Sequence, residues 1–359
     1  MRDFAPRAAT IISTALDSST FACCAASFGH TPGGREGGGR SAPSQIFAGR
    51  LDPETGESAP DSRALFDLAS LTKPLATALL ALKAADRREI DLDREAQAYL
   101  PPSRALGLGP SILQILAHCS GLPAIPALEK LFPEPGMADR ERAIRFLLDT
   151  APSARPGERI EYSCTGYLIL GLILEKVGGA RLGELFRSEI AAPLGLEGRA
   201  LFCPTPSRRA ESVPTEFCLW RGRRIRGEVH DESSWCMGGD GGNAGLFADL
   251  EAVEQLFSVY LDGGGLIREE LAIMARSCQI QMNGQRRGLG FLISQPAPGW
   301  GSETYGHTGF VGNSIWRDPA TGLTTIILSN RVYFGRDESL PKIQAFRERF
   351  HRAAAEDLS

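Results

Sequence analysis

A serine with a lysine three residues on, Ser70-Leu71-Thr72-Lys73, places a hydroxyl and an amine on one face of a helix. A serine hydroxyl is a weak nucleophile until a neighbouring group takes its proton. Lys73 Nζ can reach Ser70 Oγ from this spacing, and burial is expected to lower the lysine pKa and fit it for that work. Pro74 belongs in a first helical turn, so Ser70 falls at the helix N-terminus, where free N–H groups, its own among them, can stabilise an oxyanion. Lysine is scarce here, at positions 73, 83, 130, 176 and 342 only. With 27 serines, chance alone gives about 0.4 Ser-x-x-Lys pairs, so the motif needs company.

Two further segments supply it. Glu161-Tyr162-Ser163-Cys164 follows the turn Pro156-Gly157-Glu158 and precedes an apolar helix. A phenol in such a loop serves as general base when a cation lowers its pKa; an ordinary half-buried tyrosine would read the same. Gly306-His307-Thr308-Gly309-Phe310 reads as a strand entry whose glycines let a substrate backbone approach closely. His307 could offer partial positive charge near neutral pH, or be a surface histidine at a strand edge.

The elements needed to hold these residues are legible in outline. An amphipathic helix at the N-terminus is followed by strands at Phe21–Phe28 and Ser44–Arg50, joined across a glycine-rich loop at Gly29–Arg40. Ser70 to about Arg87 is apolar on nearly every side, the mark of a buried helix. Ser111–His118 and Thr165–Val177 are the clearest helices of the middle region, the latter capped by Gly178-Gly179. Leu289–Ser294, Gly309–Trp316 and Leu323–Asn330 read as a three-strand meander, with a turn at Asp318–Gly322. A charged helix closes the chain at about Glu338–Ala355. The expected fold class is α+β: an antiparallel sheet flanked by terminal helices, from residues 1–68 and 275–359, with a mainly helical lobe inserted at 69–274. The cleft between sheet and lobe is the natural place for a site.

Bulk composition narrows the function. The 359 residues are 43% hydrophobic and 23% charged, with net charge −4, which gives no electrostatic reason to expect nucleic acid or an anionic membrane. No run approaches the roughly 18 apolar residues of a membrane span. The eight cysteines form no metal-type Cys-x-x-Cys pair and read as reduced thiols. With a poorly formed signal region at the N-terminus, this favours a cytoplasmic location, a periplasmic one being the alternative. The histidines at 30, 118, 230, 307 and 351 make no i,i+4 pair, so neither a metal nor another cofactor is expected. His118 is expected to tie down a loop, and Asp231 and Glu232 to be a solvated or loop-capping acidic pair.

Ser-x-x-Lys, then Tyr-Ser-x, then His-Thr-Gly, in that order, resembles the superfamily of class C β-lactamases, penicillin-binding DD-peptidases and related esterases. The resemblance runs from about residue 64 to 331 through Leu65–Thr77, Ile115–Pro123, Pro156–Gly171, Gly227–Glu232, Gly241–Phe247 and Tyr305–Pro319. It implies a β-lactamase/transpeptidase-like fold and an acyl-enzyme on Ser70. The serine proton would pass to a Tyr162/Lys73 pair, in which the resemblance leaves open which member is the base. The oxyanion would lie between the N–H groups of Ser70 and Phe310, with His307, Thr308, Gly309 and Cys164 facing the substrate.

The sequence departs from that pattern in three places. Cys164 stands where the family usually has asparagine, and a thiol is only a weak donor and acceptor, so amide substrates should suffer more than simple esters. His307 replaces the lysine of true β-lactamases, which should weaken recognition of a substrate carboxylate. Asn243 stands where relatives often carry histidine. The expected function is therefore a serine hydrolase acting on small esters. A β-lactamase or D-amino-acid peptidase is the alternative, and an idle ligand-binding paralogue a further one. The expected partner is a small-molecule ester or amide; oligomeric state is not readable from the sequence.

Overall fold

Strand β1 (Cys23–His30) buries seven consecutive residues, which requires cover on both faces of the sheet it belongs to. The computed structural model describes residues 4–30 and 43–358. Most of the glycine-rich loop expected at 29–40 lies outside the described residues. The remaining sheet strands are β2 (Ser44–Gly49), β3 (Ile280–Met282), β4 (Gln285–Arg287), β5 (Leu292–Ile293), β6 (Tyr305–Thr308), β7 (Ser314–Arg317) and β8 (Leu323–Ser329). They form one antiparallel eight-stranded sheet in the order β2-β1-β8-β7-β6-β5-β4-β3. Strands from both chain ends thus meet at the β1–β8 pair, where Cys24 opposes Ser329 and Phe28 opposes Thr325.

Alternation along β1 divides the core. Cys24, Ala26 and Phe28 face the terminal helices α1 (Phe4–Asp17) and α4 (Ser339–Leu358), where Phe4, Phe28 and Phe350 meet edge to face. Cys23 and Ala25 face the larger core, with Ile326 and Leu328 from β8 and Leu75, Leu79, Val253 and Phe257 from the helices beyond.

Two expectations about the sheet are corrected. Gly309–Trp316 is not one strand: residues 309–313 form a tight loop between β6 and β7, with Gly309 N–H donating to Asn313 O at 2.7 Å. His307 and Thr308 accordingly end a strand instead of entering one. The sheet also extends past the expected meander through the β3–β4 hairpin. Its turn is Asn283-Gly284, both at positive φ (49° and 76°), the two-residue turn that suits the twist of paired strands.

The helical elements converge on Ser70. A short 3₁₀ turn at Ala69–Leu71 leads into a π-wound stretch, Lys73–Ala78, and then into α2 (Leu79–Asp86). Tyr260 Oη donates to Pro74 O at 2.5 Å and Thr77 Oγ1 to Gly242 O at 2.7 Å, pinning that wider turn from two sides. Helix α3 (Cys164–Gly178) is buried from Thr165 to Leu174 and ends at Gly179, whose left-handed φ of 70° suits glycine. Gly242 packs directly on it: a Cβ there would meet Tyr167 O at 2.0 Å, so only glycine lets the 241–243 backbone come this close. No described helix is long and apolar enough to cross a membrane.

Candidate active site

Lys73 is fully buried, and its ammonium has three acceptors for its three protons. Nζ donates to Ser70 Oγ at 3.1 Å, to Asn243 O at 2.9 Å and to Cys164 Sγ at 3.6 Å. The Asn243 carbonyl is brought there by the Gly242 approach, and Asn243 Nδ2 is itself held by Asp231 Oδ1 at 3.1 Å. This gives Asn243 a structural role that its sequence context did not reveal. The expectation of a lowered lysine pKa is overturned. Burial does favour the neutral amine, but Cys164 Sγ and Tyr162 Oη, with Asp231 behind them, hold Lys73 above its ordinary value. At rest it is an ammonium.

Tyr162 and Cys164 flank Ser163, the N-cap of α3. Ser163 Oγ accepts the Gly166 N–H at 2.9 Å and donates to Pro123 O at 2.7 Å, which fixes both neighbours. The Tyr162 ring lies 4.8 Å from Lys73 Nζ and 4.6 Å from the His118 ring. His118 Nδ1 accepts the Ser163 N–H at 3.1 Å, so this histidine ties down the loop as expected. The Tyr162 hydroxyl is buried with no hydrogen-bond partner among the described residues. Burial raises its pKa, and Lys73 only partly offsets this, so Tyr162 is a phenol at rest.

His307, on β6, is neither exposed nor charged. It is 3% exposed, and burial, with Lys73 and Arg287 nearby, drops its pKa to about 3. Its Nδ1 lies 2.8 Å from Thr308 O, which assigns the proton to Nδ1 and leaves Nε2 a bare acceptor with no partner among the described residues. The position thus presents an acceptor, and not the partial positive charge expected from the sequence.

Ser70, Tyr162, His307, Thr308, Gly309 and Phe310 line one cleft of about 330 Å³. The Phe310 N–H donates to no backbone oxygen among the described residues. Cys164 is half-buried and does not line this cleft; it reaches the site through its contact with Lys73. The structure brings Ser70, Tyr162, His307, Thr308, Gly309 and Phe310 to one cleft with Lys73 bonded to Ser70, whereas Cys164, expected to face the substrate, is not on the cleft wall. It also adds three that sequence reasoning missed: Arg287, Arg331 and Arg347 line the same cleft, and no aspartate or glutamate does among the described residues. Arg331 and Arg347 are bonded to the loop carbonyls, by Nε to Phe310 O at 2.6 Å and by Nη2 to Gly309 O at 2.9 Å. Arg287 is 6% exposed, and its Nε has no partner among the described residues. The one sequence signal for Arg287 was the Asn283-Gly284 turn, which places it on a hairpin strand beside β5.

A β-lactamase family model matches residues 35–347. A putative D-alanyl-D-alanine carboxypeptidase of Salmonella agona is 29% identical over 306 aligned positions, covering 75% of this chain and 70% of that protein. Among solved structures, EstCE1, described as a hydrolase with promiscuous acyltransferase activity, superposes with a TM-score of 0.75 at 20% identity over 99% of both chains. An octameric penicillin-binding protein homologue from Pyrococcus abyssi gives 0.73 at 19% identity, over 95% of this chain and 76% of that one. The fold expected from the sequence is the fold observed, and on a match spanning most of its length the chain belongs to the β-lactamase family of serine hydrolases.

Proposed function

We propose that this chain hydrolyses small carboxylic esters through an acyl-enzyme on Ser70. The observation that carries the reading is the Lys73 Nζ–Ser70 Oγ bond of 3.1 Å at the wall of a cleft whose opposite side is Thr308–Phe310. Ser70 Oγ attacks the ester carbonyl as its proton passes to Tyr162 Oη in the ionised minority of molecules, where the Lys73 ammonium stabilises the phenolate. The oxyanion is held by the Ser70 and Phe310 N–H groups. Tyr162 then gives its proton to the leaving alkoxide, and water repeats the sequence in reverse order to release the acid. His307 Nε2 accepts a hydrogen bond from the substrate, with Thr308 and Gly309 beside it. Cys164 holds Lys73 weakly and gives an amide substrate little to bind, which favours esters.

A second reading, action on amides that carry a carboxylate, is favoured by the three arginines of the cleft. They supply the positive charge that His307 does not, so loss of the family lysine need not cost carboxylate recognition. The relatives' description as putative D-alanyl-D-alanine carboxypeptidases agrees with it. Intact mass spectrometry after exposure to a fluorophosphonate tests the common core: one adduct on the wild type and none on Ser70→Ala. An adduct that persists in Ser70→Ala would refute the assignment. Relative rates on p-nitrophenyl esters and a chromogenic cephalosporin then decide between the two readings.

A further inference from the structure

Asp67 ends the short strand Phe66–Asp67, three residues before Ser70, and is 2% exposed with no side-chain cation bonded to it among the described residues. Its three acceptor atoms are all used. Oδ1 accepts the N–H of Ala69 at 2.8 Å, Oδ2 the N–H of His230 at 2.6 Å, and the main-chain oxygen accepts Asn313 Nδ2 at 2.8 Å.

Each bond leads to a different side of the oxyanion pocket. Ala69 immediately precedes Ser70 and sits at φ 46°, a left-handed conformation that costs an L-residue about 1–2 kcal/mol unless its surroundings hold it there. Asn313 closes the 309–313 loop: its carbonyl accepts the Gly309 N–H, and its Oδ1 accepts the Ser329 N–H at 2.9 Å. The His230 ring stacks on the Phe310 ring, with centroids 5.5 Å apart and 25° between planes. The two segments also touch directly. Ala69, Val311 and Val332 form a small buried cluster, and a Cβ on Gly309 would come within 2.8 Å of Leu68 O.

We propose that Asp67 is a positioning residue that sets the N–H groups of Ser70 and Phe310 in register across the cleft. The inference rests on the reading of those two N–H groups as oxyanion donors. Donors stabilise an oxyanion only when both lie about 2.7–3.1 Å from it, and these two come from chain segments some 240 residues apart. Their separation is set between the segments, by the Ala69–Val311 packing and by the hydrogen bonds of Asp67, which reach both sides. Asparagine at this position keeps the volume but turns an NH₂ toward one of the two N–H donors, so one link opens.

The test is steady-state hydrolysis of p-nitrophenyl acetate together with inhibition by phenylboronic acid, which forms a tetrahedral adduct on an activated serine. Wild type, Ser70→Ala, Asp67→Asn and Asn313→Ala are compared, each checked for folding by near-UV circular dichroism. Folded Asp67→Asn is expected to lose about 30-fold in kcat, part of the 10²–10³ that removal of a donor costs, with KM within about twofold. Phenylboronic acid should weaken by a similar factor. Asn313→Ala, which cuts the link to the Asp67 carbonyl and also frees the Ser329 N–H, should show the same split in smaller measure, and it carries the test if Asp67→Asn does not fold. A folded variant with kcat within about threefold of wild type overturns the role of Asp67. Wild-type turnover by Ser70→Ala would instead overturn the underlying reading, and this control separates the two failures.

Discussion

Glu216→Gln removes a charge that the fold holds tightly beside the Phe310 loop. Glu216 is 7% exposed. Arg336 donates to it through Nε at 2.9 Å and again through Nη2, and His230 Nε2 lies 3.2 Å from Oε1. Burial alone would raise the carboxyl pKa, but Arg336 and His230 bring it down to about 2 from 4.5. A group whose folded pKa is depressed adds stability that is fully present above its unfolded value and is lost as pH falls through the folded one. At about 1.4 kcal/mol per pH unit the depression corresponds to about 3 kcal/mol at pH 7. The Arg336 side chain is 39% exposed and partly screened, which reduces the expectation to about 2–3 kcal/mol. Urea unfolding of both proteins from pH 7 to pH 2.5 measures it. The gap should hold steady from pH 7 to about 5, narrow below 4.5 and fall to about a quarter of its size by 2.5, closing only below the folded pKa of about 2, where protonated Glu216 resembles glutamine. A gap of the same size at pH 7 and pH 3 would refute the electrostatic account and assign the loss to packing. No gap at pH 7 would refute the contribution itself.

The remaining predictions concern turnover. Lys73 and Tyr162 are both raised, so the reactive phenolate forms only when the pair loses a proton; kcat/KM for p-nitrophenyl acetate should rise about tenfold per pH unit from 7 to 9. A plateau by pH 8 would contradict this order of protonation. His307 is neutral above about pH 3, so the same profile should show no inflection from it between pH 5 and 7.5, and His307→Gln should leave the profile's shape unchanged. Cys164→Asn restores an amide next to Lys73 and should raise hydrolysis of a chromogenic cephalosporin about tenfold, with ester rates within about threefold of wild type. Arg287→Ala should raise KM for a substrate bearing a carboxylate by about 10-fold or more and leave a neutral ester near its wild-type KM, as paired assays of the free acid and its methyl ester would show.

Local chemistry was readable in the sequence wherever one segment carried it. Ser70 and Lys73 share a helical turn, and Tyr162 and Cys164 flank a serine cap, so spacing alone placed each pair. What spacing could not give was the balance of opposed terms at Lys73, where burial favours the amine and the neighbours favour the ammonium. Three-dimensional neighbours decide that balance, and Asn243 and Asp231 lie about 170 and 160 residues away. The misread strand at 309–316 has a local cause. Phe310 and Val311 look like strand residues, but Gly309, Gly312 and the Asn313 side chain build a loop whose bonds run to Asp67 and Ser329. Arg287 was overlooked because the β3–β4 hairpin is mostly polar; its Asn-Gly turn was the signal, and alternation of apolar residues was not.

The cleft arginines have a consequence for the molecule at rest. Arg347 is bonded only to carbonyls among the described residues, and burial together with Arg331 brings its pKa to about 9. With no acidic side chain on the cleft wall among the described residues, an empty site keeps like charges close, and folding has to overcome that repulsion. An anion that enters only the folded cleft therefore shifts the folding equilibrium, by about 2.7 kcal/mol at a hundred times its Kd. The melting temperature thus becomes a reporter of occupancy. Small carboxylates ranked by how far they raise it would outline the ligand before any turnover is measured.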